Sequence, residues 1–501
     1  MKPSPRAFPA LAVLVVLSVV PAVLVLGLMA ALVVAVTSGA GWPALLLLGV
    51  VTVAAAVGVG RATVLVGRHG AQPPVGVALT RSAQPRLWAV VDELAAAAGT
   101  RTPDEIRLVP DSKAALSENA RLLGLRSGCR RLYVGVPLVL GLTELQLRAT
   151  IAHELARYGG AGGVVFRASQ SLRRLVRYLG NDSWAGRLTA LYTRPYDVVA
   201  RGVIREQNVD ADRLSAQLAG RTPALAAVRE VAALDRGWHY FLDRYVDLGI
   251  EERLRPMAVF DGFERFLAEP ARQLQLAEVR SAPPDGEAGT DPQLPVAERI
   301  AVLEAAGDPV ADDYEPALGL LDDPRRALGE LETWMFEDSD LVPASWDEIV
   351  AAGAAGVARR DAARLTLAME DSGVARPATL ITVFDAIRRG EVEAMVEPLA
   401  GPDDTHDQRL ALAERLLTRL VTSALLDSGR ASYKLNWAGP GQLVGADGRE
   451  VAPDRLVARA IEDPNAAYTL QGWLTACGVP PDYRAHTDGN LPGADQVDCV
   501  T

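Results

Sequence analysis

Uncharged apolar residues occupy most of the first 60 positions of the chain. Residues 8–36 contain no charged side chain, and after a short turn residues 42–60 are again uncharged. A helix of about 20 apolar residues is long enough to cross a bilayer. The two runs therefore predict a transmembrane helical hairpin within residues 1–67. A cleaved signal peptide would have a shorter apolar core and no second span behind it.

Basic residues flank this hairpin only at its outer ends. Lys2 and Arg6 precede the first run, Arg61 and Arg68 follow the second, and the turn between the runs is uncharged. Because short loops rich in lysine and arginine stay in the cytoplasm, both ends of the hairpin are expected there. The pattern predicts a multi-pass protein of the cell (cytoplasmic) membrane, with its main soluble body in the cytoplasm.

After the hairpin, the apolar pattern is typical of a helix followed by a small sheet. Residues 84–99 have helical spacing, whereas residues 104–109 and 130–137 alternate between apolar and polar positions as strands do. Residues 114–128, between these two runs, predict a third strand and a hairpin. This sheet is expected to pack beside the next helix, residues 143–158.

The helix predicted over residues 143–158 has clear signals at both ends. Thr143 is followed three residues later by Gln146, which is the pattern of a capping box, and two glycines follow its last turn. His153 and Glu154 consequently lie near its C-terminal end.

Beyond this helix the pattern is predominantly helical. Residues 161–275 show no strand alternation, and residues 281–295 have the proline, glycine and aspartate content of a linker. Helical patterns continue over residues 306–480, and residues 481–501 have the polar composition of a flexible tail.

Composition excludes one class of function. The 501 residues carry a net charge of -11, which opposes nucleic-acid binding because neutralising phosphates needs a concentrated basic surface. No nucleic-acid partner is therefore expected. The three cysteines are an odd number and too few for a disulfide framework, which is compatible with a reducing compartment.

The stretch RATIAHELARYGG, residues 148–160, begins like the zinc-binding helix of a metalloprotease. In His-Glu-x-x-His, two histidines on one helix face bind zinc, while the glutamate positions the attacking water. His153 and Glu154 match the first two positions, but Arg157 stands at the second histidine. Taken alone, these residues fit equally well a buried structural histidine and an ion pair across one helical turn.

Three stretches together make the chain similar to the HtpX-like membrane zinc metallopeptidases, gluzincins related to the CAAX prenyl protease. They are LTELQLRATIAHELARY, IREQNVDADRLSAQLAG (204–220) and TDPQLPVAERIAVL (290–303). The resemblance covers roughly residues 80–305, and the membrane hairpin fits it as well. It implies a zincin-like domain, a bound zinc ion and metalloendopeptidase activity.

With this resemblance, the predicted fold class is mainly α (α+β), with an N-terminal transmembrane hairpin, a zincin-like domain carrying a small sheet, and a C-terminal helical region. The predicted boundaries are a transmembrane hairpin (1–67), a metallopeptidase-like domain (68–280), a linker and family C-terminal segment (281–305), a helical domain (306–480) and a flexible tail (481–501).

Carried over residue by residue, the resemblance implies a degenerate zinc site. His153 matches the first zinc ligand and Glu154 the catalytic general base. Arg157 stands at the second zinc histidine, and Asn208 at the glutamate that supplies the third ligand. Asp212 matches a residue that orients the zinc ligands without contacting the metal itself. Only His153 is a retained ligand.

The residue at position 291 and the charge of Arg157 also argue against zinc binding. Asp291 stands where the family has a later histidine before proline. Arginine has no lone pair to donate to a metal, and Asn208 offers a neutral carbonyl in place of a carboxylate. No zinc is therefore expected at His153. Arg157 is expected to bridge to a carboxylate, with Glu154 nearest along the helix and Asp212 favoured across helices.

Three functions remain open on the sequence. The first is a membrane-anchored relative of these proteases that is catalytically inactive and binds proteins or peptides as a scaffold. The second is an active zinc-dependent metalloendopeptidase with atypical ligands. The third places the function in the helical region 306–480 as an interaction module. The sequence favours the first, combined in part with the third.

Overall fold

The computed structural model describes residues 7–68, 74–118, 128–180, 184–284, 294–307, 314–439 and 441–485. Helices make up most of these residues, and short strands form three small sheets among them. The predicted mainly α class with a minor β component is confirmed.

The apolar N-terminal runs form two helices. They are α1 (Ala7–Thr37) and α2 (Trp42–Arg68), which pack against each other. In the turn between them Gly39 has φ +71°, a conformation that glycine adopts without steric cost. Among the described residues, no helix is both long enough and apolar enough to cross a membrane.

A four-stranded sheet follows, interrupted after its first strand by α3 (Pro85–Ala97). The strands are β1 (Val77–Leu79), β2 (Glu105–Val109), β3 (Ala114–Glu118) and β4 (Arg130–Gly135), in the order β1-β2-β4-β3. β2 and β4 are parallel, and both outer pairs are antiparallel.

The alternation predicted for this sheet is confirmed by its burial. Ile106 pairs with Leu132 and Leu108 with Val134, and all four side chains are buried. β1 was not predicted, because three residues are too few for a period of two to be recognised.

The helix that carries His153 and Glu154 is α5 (Glu144–Ala156), which follows the short helix α4 (Val136–Gly141). The side chain of Thr143 accepts from the backbone N–H of Gln146, and the Gln146 side chain accepts from the backbone N–H of Thr143. The predicted capping box is thus confirmed, and it sets where α5 begins.

The rest of the described chain consists of helices and two small sheets. The helices are α6 (Gly160–Leu179), α7 (Trp184–Ala219), α8 (Arg221–Phe241), α9 (Val259–Ala268), α10 (Pro270–Ser281), α11 (Val296–Glu304), α12 (Pro324–Met335), α13 (Trp346–Ser372), α14 (Leu380–Arg388), α15 (Val392–Val396), α16 (His406–Asp427), α17 (Pro453–Glu462) and α18 (Ala466–Ala476).

The two small sheets are both two-stranded. β5 (Leu254–Pro256) pairs in parallel with β6 (Val342–Ala344), and β7 (Ala431–Lys434) pairs antiparallel with β8 (Gln442–Gly445). β5 corrects the prediction that residues 161–275 contain no strand. It is only three residues long, and its partner lies almost ninety residues away, so local alternation does not reveal it.

The chain divides into two compact units whose limits differ from the predicted boundaries. The first unit comprises Met1–His239 with Gln273–Glu337, and the second comprises Tyr240–Arg272 with Asp338–Thr501. Residues 240–272 belong to the second unit because their aromatic side chains pack with residues far along the chain. Phe241 lies 5.5 Å from Trp346 and 6.4 Å from Trp437, measured between ring centroids.

The start of the predicted flexible tail is packed into the second unit. Tyr483 and Ala485 are buried, and the Tyr483 hydroxyl donates to Oδ2 of Asp427 at 2.7 Å. Residues 481–485 are therefore held on the second unit rather than forming a tail, because a buried tyrosine supplies both apolar area and a satisfied hydroxyl. Residues 486–501 of the predicted tail lie outside the described part of the chain.

Candidate functional site

The residues singled out by the motif come together between α5 and α7. His153 and Glu154 lie in the last turn of α5, and Arg157 caps that helix. Asn208 and Asp212 lie one turn apart on α7, the helix that packs most closely on α5. All five side chains are buried, and His153 contacts Asp212 directly across the two helices.

His153 and Arg299 flank the same carboxylate. Nδ1 of His153 lies 2.9 Å from Oδ1 of Asp212. On the other side, Arg299 in α11 donates from Nη2 to that oxygen at 2.8 Å, and its Nε lies 3.1 Å from the same atom. The three side chains therefore link α5, α7 and α11 through one buried negative charge.

The charge state of Asp212 follows from these neighbours. The carboxylate is completely buried, and burial by itself would raise its pKa. The guanidinium of Arg299 and the imidazole of His153, which lie against the carboxylate, outweigh burial and lower the pKa of Asp212 to about 2. Asp212 is thus held ionised at neutral pH.

A second buried ion pair occupies the end of α5. Nη1 of Arg157 donates to Oε1 and Oε2 of Glu154 at 3.1 and 3.2 Å. Arg157 is 1 % exposed and Glu154 7 %. The guanidinium carbon also lies 4.4 Å from the ring centroid of Phe166, a distance at which a cation–π interaction is favourable. Of the two expected partners, Arg157 selects Glu154, because Asp212 is taken by Arg299.

Gln207 connects α7 to the end of α5. Its Nε2 donates to the backbone carbonyls of Ala156 at 2.7 Å and Gly159 at 3.2 Å, which also accept from the backbone N–H groups of Gly159 and Gly163. A Cβ on Gly162 would lie 1.9 Å from Oε1 of Gln207, so any other residue there would displace the Gln207 amide. Gln207 and Phe166 were not predicted, because neither belongs to a recognisable chemical motif.

The edge of the four-stranded sheet lies against the same helix end. The hydroxyl of Tyr158 donates to the backbone carbonyl of Leu116 in β3. The Tyr158 and Phe166 rings are 5.2 Å apart and nearly perpendicular, which links the strand to the contact made by Arg157. Within the part of the chain that is described, β3 pairs only with β4 and is the last strand of its sheet.

These residues do not fit a zinc ion. A protein zinc site needs three ligands among histidine, cysteine and carboxylate, and the described residues contain no cluster of three such side chains that could hold a metal. Asp212 is engaged by Arg299, and Glu154 by Arg157. Asp291 lies outside the described residues.

Comparison with family models, curated proteins and solved structures gives no match to this chain. The resemblance to the HtpX-like metallopeptidases consequently stays a prediction from the sequence motifs. What is established at this site is its geometry: two buried ion pairs around a histidine, formed by residues of α5, α7 and α11.

Proposed function

We propose that the protein is a membrane-anchored relative of the HtpX-like zinc metalloproteases that does not cleave and instead binds a protein or peptide as a scaffold. The observation that carries the proposal is the contact between Arg157 and Glu154. The residue at the position of the general base is engaged by the residue at the position of a zinc ligand. An internal ion pair thus takes the place of the metal and its water.

The electrostatics of Arg157 support this proposal. A guanidinium about 4 Å from a divalent cation repels it by about 8 kcal/mol at an effective dielectric constant near 20. Arginine is always protonated in proteins, so no change of pH removes this repulsion. Without a bound metal, Glu154 has no activated water to deprotonate, and a general base has nothing to act on.

The contacts of Asp212 with Arg299 and His153 argue against a zinc site in which Asp212 replaces the missing ligand. Rotation of Asp212 into the ligand position of Asn208 would require breaking its contacts with Arg299 and His153. Separating such a buried pair costs about 3 to 5 kcal/mol. The alternative of an active enzyme with atypical ligands would have to overcome this cost.

The position of β3 at the edge of its sheet supports the binding part of the proposal. An extended peptide can add to an exposed strand through backbone hydrogen bonds, and the neighbouring pockets then select its side chains. β3 is both an edge strand and a neighbour of α5. A peptide on β3 would therefore run past the inert site without being cut.

The anchoring part of the proposal rests on α1 and α2. The two helices form a hairpin, and many of their described side chains are apolar and exposed, Val23 at 57 % and Leu26 at 64 % among them. Exposed apolar surface on this scale is costly in water and favourable in lipid. We place the soluble body in the cytoplasm on the basic residues at the outer ends of the hairpin.

The proposal is tested on the full chain purified in detergent. We expect no stoichiometric zinc by elemental analysis and no cleavage of casein, with or without added zinc. One zinc per chain, together with casein cleavage that is lost in Glu154→Gln, would establish the active-enzyme alternative. Glu206→Gln, a change at a half-buried position on α7, is the matched control for a general effect of removing a carboxylate.

A further inference from the structure

One face of α7 carries a regular stripe of basic and aliphatic side chains. Arg187, Leu191, Arg194, Val198 and Arg201 follow one another at spacings of four, three, four and three residues, so they lie along one side of the helix. All five are exposed, Leu191 at 63 % and Val198 at 57 %. We call these five residues the arginine stripe.

The stripe belongs to a strongly basic segment of an acidic protein. Residues 167–201 contain seven arginines and two aspartates, a net charge of +5, whereas the whole chain carries -11. Among the described residues, Arg187 and Arg194 make no ion pair. Two positive charges of the stripe are therefore free to meet an anionic surface.

The opposite face of α7 is used for packing within the first unit. Thr193, Tyr196 and Ala200 are buried, and the hydroxyl of Tyr196 donates to the backbone carbonyl of Val165 in α6 at 2.8 Å. The arginine stripe therefore points away from α6. The packing of α7 on α6 does not use the five side chains of the stripe.

α1 is longer than the hydrocarbon core of a bilayer and packs against α7, the helix that carries the stripe. The 31 residues of α1 extend over about 46 Å, whereas the hydrocarbon core of a bilayer is about 30 Å thick. The surplus is about ten residues. Ala10 and Leu14, near its N-terminal end, are fully buried, and α1 packs against α6 and α7. One side of this end of α1 is thus packed against protein, whereas Phe8 on it is 66 % exposed.

We propose that the arginine stripe of α7 lies on the cytoplasmic membrane surface, where its arginines bind anionic phospholipid headgroups and Leu191 and Val198 enter the interface. This inference rests on the proposed membrane anchorage and not on the inactive zinc site. Arginines interleaved with aliphatic residues on one face are typical of helices that lie in the interface. Attraction to anionic lipid acts within about one Debye length, and the packing of α1 on α7 keeps the helix that carries the stripe beside the hairpin.

The test places an environment-sensitive fluorophore on the stripe in the full chain. Cys129, Cys477 and Cys499 are changed to serine, and Leu191→Cys is labelled. The protein is reconstituted in vesicles of phosphatidylcholine alone or of phosphatidylcholine with phosphatidylglycerol. We expect a blue shift of the emission in the anionic vesicles only. The shift should be lost at 1 M salt, where the Debye length falls to about 3 Å.

Two controls separate the stripe from general effects. A label at Arg213→Cys, on the same helix but outside the stripe, should not shift. In the Leu191→Cys background, R187Q/R194Q/R201Q should abolish the shift, whereas R213Q/R236Q/R325Q, which removes the same charge from exposed positions elsewhere in the first unit, should retain it.

Flotation of the vesicles distinguishes this inference from the proposed anchorage. Protein that floats with both kinds of vesicle but shows no lipid-dependent shift overturns the stripe and leaves the anchorage standing. Protein that floats with neither overturns both. A shift caused by soluble polyglutamate and not by anionic vesicles would assign the stripe to an acidic protein partner and also overturn the inference.

Discussion

Asp212 in α7 and Arg299 in α11 lie 87 residues apart in the sequence and form an ion pair with two hydrogen bonds. Nη2 of Arg299 lies 2.8 Å from Oδ1 of Asp212, and its Nε lies 3.3 Å from Oδ2. Asp212 is completely buried, and Arg299 is 18 % exposed at its side chain. This pair holds α11 on α7, and the Asp212 carboxylate also contacts Nδ1 of His153.

Asp212→Asn should destabilise the protein in a pH-dependent way. The pKa of Asp212 is lowered to about 2 in the folded state, whereas an unfolded aspartate has a pKa of about 3.9. The pair's stabilisation is therefore complete above about pH 4 and is lost as the pH falls towards 2, a change of about 2 kcal/mol. Urea unfolding in detergent at pH 7, pH 4 and pH 2 measures it.

The control for this prediction is Asp210→Asn, which removes a partly exposed carboxylate on the same helix. It should change the free energy of unfolding by no more than about 0.5 kcal/mol. If Asp212→Asn and the unchanged protein lose stability equally between pH 4 and pH 2, the ion pair does not hold Asp212 ionised.

Glu154 and Arg157 should show strong energetic coupling. Arg157→Met leaves a buried carboxylate and Glu154→Leu leaves a buried guanidinium, so each single change should cost about 3 kcal/mol or more. Changing both residues removes both charges, and the double variant should be more stable than either single one. A double-mutant cycle on the free energy of unfolding measures the coupling.

The exposed pair Arg326–Glu330 in α12 provides the matched cycle, because its members are also about one helical turn apart. Its coupling should be only about 0.3 to 0.5 kcal/mol. Equal coupling energies in the two cycles would mean that the pair at the end of α5 does not behave as a buried pair.

Zinc binding should be restorable only by replacing two residues. Arg157→His removes the positive charge and adds a second imidazole on the face of His153, but two ligands hold zinc weakly. Adding Asn208→Glu should supply the third ligand and bring tight binding of one zinc per chain, measured by elemental analysis after dialysis. Asn208→Glu alone should bind no zinc, because Arg157 still repels the cation. Tight zinc in that single variant would contradict the role assigned to Arg157.

Reporter fusions should place the soluble body in the cytoplasm. A fusion after residue 70 is expected to be active only with a cytoplasmic reporter, since Arg61 and Arg68 follow the second apolar run. A fusion in the turn at Gly39 is expected to behave in the opposite way. An extracytoplasmic signal from the fusion after residue 70 would overturn the proposed orientation.

Local sequence was sufficient for the elements whose signals lie within a few residues. The capping box of Thr143 and Gln146 predicted the start of α5, because both hydrogen bonds join residues three apart. The alternation around Ile106 and Leu132 likewise predicted two strands. The spacing of Glu154 and Arg157 made their contact possible, since residues three apart on a helix are neighbours.

Tertiary structure decided the features that depend on residues distant in sequence. The choice of Glu154 over Asp212 as the partner of Arg157 followed from the position of Arg299, about ninety residues further along the chain. The limits of the two units followed from aromatic packing such as Phe241 on Trp437. Neither contact leaves a periodic signal, because a local pattern reports which side of an element is buried and not what covers it.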